Sequence, residues 1–176
     1  MTVKHQQSTQ ITNAQAVPVV PNNTGNGAGG KLIEITGSVV LVASQDVAST
    51  VRLVRVPTNA KVKIVRIMSQ AQTQGTFDVG VYYPVDGPTG KPDLLANTII
   101  ADFFVGDIDL TSAVNPTDIT FGATGTNTID LWNQPLWKAL ALASDPGGFF
   151  DIVLTCVGSA VTTATGIVGI SVCYVE

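Results

Sequence analysis

Short runs of Val, Ile and Thr, each closed by Gly, Pro, Asn or Asp, recur along nearly the whole chain. β-branched side chains are stiff at χ1 and fit a pleated surface, while Gly and Pro punctuate strands. The strong helix formers Glu, Lys, Met and Arg are scarce. Turn signals about 8 to 12 residues apart describe an all-β sandwich or barrel. No repeat of about 20 to 50 residues is present, so propellers and solenoids drop out.

Read in order, Leu32–Gly37 and Ser38–Val42 are strands around a bend or bulge at Gly37. Thr50–Val56 is a third strand and Pro57–Ala60 a turn. Lys61–Ser69 is a fourth, with Val62 and Ile64 on one face but Val65 and Ile67 on the other. A slip of one residue moves every side chain across the sheet, so a bulge or a doubly buried stretch belongs near Ile64. Phe77, Val79, Val81 and Tyr83 alternate cleanly against Asp78, Gly80 and Tyr82. A loop at Pro84–Pro92 leads to a short helical turn after Asp93 and a strand through Ile100 and Phe104. Gly106–Thr120 reads as a loop that ends in a strand at Ile119–Phe121. Gln134–Leu142 is the helix candidate, with Pro135 suited to its first position and Leu136, Ala139 and Leu140 on one face. Phe149–Val157 and Gly166–Val175 close the fold as a buried hairpin. Eight or so strands with long crossing loops favour a jelly roll, with a looser Greek-key sandwich second.

Residues 1–30 differ from this domain, which spans 31–176. Met1–Gln10 is polar and has no secretory-signal pattern. Val17, Pro18, Val19 and Val20 form an apolar run that the prolines keep extended, and 22–30 is a glycine-rich hinge. A solvated tail is the simpler reading. The apolar run favours an arm that lies on another protein surface.

The chain of 176 residues is 45% hydrophobic and only 12% charged, roughly half the charged share of ordinary soluble domains. Such a surface suits a subunit covered by neighbours. The net charge of −4 excludes bulk electrostatic attraction to nucleic acid. Yet Arg52, Arg55, Lys61, Lys63 and Arg66, five of nine basic residues, fall within 15 positions. They are candidates for meeting an acidic protein surface; two differently charged solvated faces of one sheet are the competing reading. Cys156 and Cys173 lie in apolar strands and read as buried thiols made in a reducing compartment, with a staple of the last hairpin as the alternative. Ile152–Val175 carries no charge over 24 residues, but its Ser/Thr/Gly centre argues for strands and not a membrane span.

Chemistry-bearing patterns are sparse, so no enzyme, metal or cofactor is expected. His5 is the single histidine, which leaves neither a zinc set nor a Ser-His-Asp arrangement. Gly25–Lys31 lacks the ending and the strand-to-helix context of a phosphate loop. Asp102, Asp107 and Asp109 offer oxygen ligands but not calcium-loop spacing. Trp132, Trp137, Tyr82 and Tyr83 are candidates for a sugar platform, against the commoner role of filling a core or interface. A glycosidase carboxylate pair is the remaining catalytic alternative, with nothing to select the pair.

The segments Ile11-Thr12-Asn13-Ala14, Val17-Pro18, Gly29-Gly30-Lys31-Leu32, Leu136-Trp137-Lys138-Ala139 and Ser144–Ile152 resemble small structural proteins of tailed bacteriophages. The resemblance implies a capsid decoration, or cement, protein family. It implies a β-rich virion protein on the capsid exterior, assembled in the host cytoplasm. Its partners would be the major capsid protein and itself, as a homotrimer where capsomers meet. From the charge and the strand pattern, no membrane and no nucleic-acid partner is expected. A receptor- or carbohydrate-binding fibre domain is the alternative.

Overall fold

β1 (Leu32–Val40) alternates exposed and half-buried residues along its whole length, and no bulge breaks its pairing with the last strand. The computed structural model describes residues 31–41, 47–72, 75–84, 98–158 and 166–176. The expected arm at 1–30 and the helical turn after Asp93 lie outside these. The bend expected at Gly37 is absent. Glycine is required there for a different reason: a Cβ would lie 2.1 Å from the carbonyl oxygen of Leu53. That carbonyl belongs to β2 (Thr50–Pro57), whose pairing shifts register between Arg52 and Val54.

The chain continues through β3 (Lys61–Ser69), β4 (Thr76–Tyr82), β5 (Thr98–Asp109), β6 (Val114–Asp118), the single-turn helix α1 (Leu136–Ala139), β7 (Phe149–Cys156) and β8 (Ile167–Val175). The strands form two antiparallel four-stranded sheets, ordered β1-β8-β3-β6 and β2-β7-β4-β5. Strands β1 to β4 pair in turn with β8, β7, β6 and β5, as one long folded ribbon. Contacts β3–β8 and β4–β7 roll that ribbon into two layers. This is the jelly roll read from strand number and loop length.

The inner faces follow the period of two. Val62, Val65 and Ile67 of β3 and Val168, Ile170 and Val172 of β8 meet Phe77, Val79 and Val81 of β4 and Phe150, Ile152 and Leu154 of β7. Burying each such side chain contributes about 1.5–3 kcal/mol. The slip in β3 is a real irregularity, a register shift between Val62 and Ile64. It turns Val62 and Val65 to the same core.

Three expectations need correction. The last two strands are not a hairpin: β7 and β8 belong to different sheets, and Cys156 and Cys173 are not joined. Both strands are apolar because each occupies the middle of its own sheet. β5 runs to Asp109, and β6 precedes Ile119–Phe121 instead of containing it. Pro116 concealed β6, yet β6 is an edge strand, the one place a sheet tolerates proline. The helix is shorter than expected, and Pro135 is its cap. Backbone bonds from Leu136 to Ala60 and from Trp137 to Thr58 tie it to the β2–β3 turn. No helix among the described residues is long and apolar enough to cross a membrane.

Candidate interaction surfaces

The basic run does not form one patch. β2 and β3 are consecutive in sequence but lie in opposite sheets, so Arg52 and Arg55 are separated from Lys61, Lys63 and Arg66 by the thickness of the sandwich. On the β2 side, Asp151 of β7 is only 3% exposed. It accepts from Arg52 Nη1 at 2.8 Å and from Arg55 Nε at 2.6 Å and Nη2 at 3.2 Å. Arg52 also donates to the Tyr83 carbonyl at 2.9 Å. A buried carboxylate is tolerated only where such partners meet it. These two arginines therefore hold β2 to β7; Arg52 is half-buried and Arg55 is exposed.

On the other sheet, Lys63 stands in the β3 irregularity. Its Nζ donates to Asn133 Oδ1 at 2.6 Å and lies 4.7 Å above the Trp132 ring, while Trp132 Nε1 donates to the Lys63 carbonyl at 3.0 Å. Burial pushes the Lys63 ammonium below its ordinary pKa, and the charge of Lys61 adds to this. Arg66 is exposed, opposite Asp118 of β6 in the ladder. Lys61 is half-buried at the start of β3. Val17, Pro18, Val19 and Val20 lie outside the described residues.

The four aromatic candidates for a sugar platform are dispersed. Tyr82 is buried and its hydroxyl lies 2.6 Å from Thr155 Oγ1. Tyr83 tilts against Phe150 at 5.7 Å, and Trp137 packs on the core. Trp132 lies over Lys63 of the other sheet.

Asp78, Asp102 and Asp107 do converge, around Gly106. The Asp107 backbone N–H donates to Asp78 Oδ1 at 2.9 Å. Burial raises the Asp78 pKa; that bond opposes the shift, and the charges of Asp107 and Asp102 reinforce it. Asp109 faces away into its own turn, accepting from Thr111 N at 2.8 Å. Among the described residues, no group of three acids, histidines or cysteines is placed to hold a metal ion.

The outer faces of the two sheets differ. On β2-β7-β4-β5 the outward residues Tyr82, Asp151, Val153 and Thr155 are buried, and Phe149 at the start of β7 is exposed. The backbone of Ile100 and Ala101 crosses Gly80 so closely that a Cβ there would meet both carbonyl oxygens at 2.2 Å. The outer face of β1-β8-β3-β6 is open. Val40, Ile167 and Met68 stand exposed on it, and the last two line an apolar groove of about 340 Å³ together with Gly169. Sequence reading placed Ile167 in a buried hairpin and gave Val40 and Met68 no face. The usable signal was parity: Leu32 and Val40 share a face with Glu34, Thr36 and Ser38.

The geometry thus defines an eight-stranded jelly roll with one sealed and one open outer face. Comparison with known proteins follows the same line. No protein-family model and no curated protein matches the chain. Among solved structures, a chain in the capsid of Ralstonia phage GP4 matches with a TM-score of 0.58 at 17% identity, over 93% of this chain and 94% of that one. A chain in the capsid asymmetric unit of cyanophage Pam1 matches with a TM-score of 0.49 at 18% identity, over 92% and 94%. The first likeness is one of fold along the whole of both chains.

Proposed function

We propose that this protein is a non-enzymatic structural component of a bacteriophage virion, one that decorates the capsid and stabilises it by binding between capsid subunits. The observation that carries the reading is the end-to-end likeness to a chain of the Ralstonia phage GP4 capsid. A match over nearly all of both chains means a capsid component of this size and this fold exists. The low charge and the open apolar face agree with a subunit whose surface is covered in use.

The partners in this reading are the major capsid protein and further copies of the chain, a trimer at the meeting point of capsomers being the expected form. Decoration from the exterior presents many weak contacts to a repeating lattice, where linked sites raise effective concentration. An apolar, proline-extended arm at Val17–Val20 adds area at low ordering cost. Of the five candidate basic residues Arg55 and Arg66 are exposed, and since Arg55 is bound to Asp151, Arg66 on the open side is better placed to meet an acidic partner. A glycan-binding fibre domain is less well supported, because its four candidate aromatics do not share a surface.

The test mixes purified protein with assembled shells that lack it, and separately with free capsid subunits. Co-sedimentation with shells, and not with subunits, is expected. Deleting residues 1–30 should lower shell occupancy while the domain still melts cooperatively. Full occupancy by the truncated protein would remove the arm from the reading, and no binding to shells would end it.

A further inference from the structure

Every sheet edge is a template for another strand unless something blunts it. Three of the four edges here are blunted. β6 is five residues long and carries Pro116 and Asp118. β2 bears Arg52 and Arg55, shifts register and ends at Pro57. β5 departs from regular pairing with β4 at three places. β1 is the least protected: nine residues, no proline, no basic residue, an unbroken register and a single charge, Glu34. Among the described residues it is paired on one side only, to β8.

The β1 sequence is also self-complementary when reversed. Set antiparallel to itself about Thr36, its outward face pairs Leu32 with Val40, Glu34 with Ser38 and Thr36 with Thr36. Its inner face pairs Ile33 with Val39 and Ile35 with Gly37. The one charged residue thus meets a hydroxyl and not its own copy, and like charges directly opposite are what such pairing must avoid. The two exposed apolar residues of the strand, Leu32 at 62% and Val40 at 56%, cover one another, next to the exposed Ile167.

We propose that the free edge of β1 pairs antiparallel with β1 of a second copy about a two-fold axis at Thr36, joining two β1-β8-β3-β6 sheets into one. This goes beyond the capsid reading and does not depend on it. A two-fold contact is isologous, so one patch serves both copies. If a threefold contact is also present, the same edge pairs trimers.

Thr36 is exposed, so its charge variants retain the monomer's packing. Light scattering is run on the full-length protein as wild type, Thr36→Lys, Thr36→Glu and an equimolar mixture of the two variants. The mass should halve in each single variant and return to the wild-type value in the mixture, where Lys faces Glu. Thr36→Cys adds an independent readout. Facing Cα atoms in an antiparallel pair lie about 4.5–5.5 Å apart, within disulfide range. Mild oxidation should therefore give a covalent dimer that Ser38→Cys, facing Glu34, does not give. A monomeric wild type overturns the proposal, the edge then being left to the arm or to a capsid chain. So do an unchanged mass in both charge variants, failure of the mixture to restore it, or equal cross-linking at positions 36 and 38.

Discussion

The two outer faces of this sandwich are built from the same strand alphabet and do opposite things. On β2-β7-β4-β5 the outward Tyr82, Asp151, Val153 and Thr155 are buried, a carboxylate among them that two arginines bind, and Phe149 at the start of β7 is exposed. On β1-β8-β3-β6 the outward row of β1 is exposed from end to end, and Met68 and Ile167 border an open apolar groove. The contrast separates residues that hold the fold together from residues left over for other molecules. Exposed apolar residues that the fold does not need are where an assembly contact has least to disturb.

The largest effect should come from placing a charge on the sealed face. Val153→Asp buries a carboxylate beside Asp151 with no new partner. We expect a loss of about 4 kcal/mol in denaturant unfolding, at the upper end for a single change. A loss under 1 kcal/mol would mean that this face is not sealed. Arg52→Met is next: it leaves Asp151 to Arg55 alone and should cost about 1–2 kcal/mol, read as a lower denaturation midpoint with an unchanged m-value.

Asp78→Asn should act in the other direction. Its carboxyl pKa is raised in the folded protein, so the fold takes up the proton more readily than the unfolded chain does. Folding stability attributable to this group falls as pH rises through that pKa and is regained below it. Asparagine removes the charge and keeps an oxygen for the Asp107 N–H. A small rise in Tm at neutral pH is expected, shrinking as the pH is lowered into the range where Asp78 is protonated. A rise that persists at low pH would assign the effect to something other than the charge.

The smallest effect belongs to the open face. Met68→Lys should change stability by no more than about 0.5 kcal/mol, the usual range for surface positions. A loss comparable to Val153→Asp would erase the distinction between the two faces.

Much of the fold was legible because one signal dominates it. Alternation with a period of two located β3 to the residue and exposed its register slip, since a slip leaves a visible phase change in Val62, Ile64, Val65 and Ile67. What alternation cannot report is which sheet a strand joins. The apolar runs of β7 and β8 looked like a hairpin because both are central strands, although each sits in a different layer. The same blindness made Arg52 to Arg66 look like one patch, when β2 and β3, consecutive in the chain, lie in opposite sheets. The partner of Arg52 and Arg55 lay in β7, 99 and 96 residues away, with no local mark on Asp151. β6 was hidden by a proline whose meaning depends on the strand being at an edge.

The most direct test of the account is sedimentation of the full-length protein with assembled phage shells stripped of it, compared with free capsid subunits. The account predicts saturable binding to shells, with a fixed number of copies per shell, and none to subunits. Absence of binding to shells, or equal binding to free subunits, would contradict it.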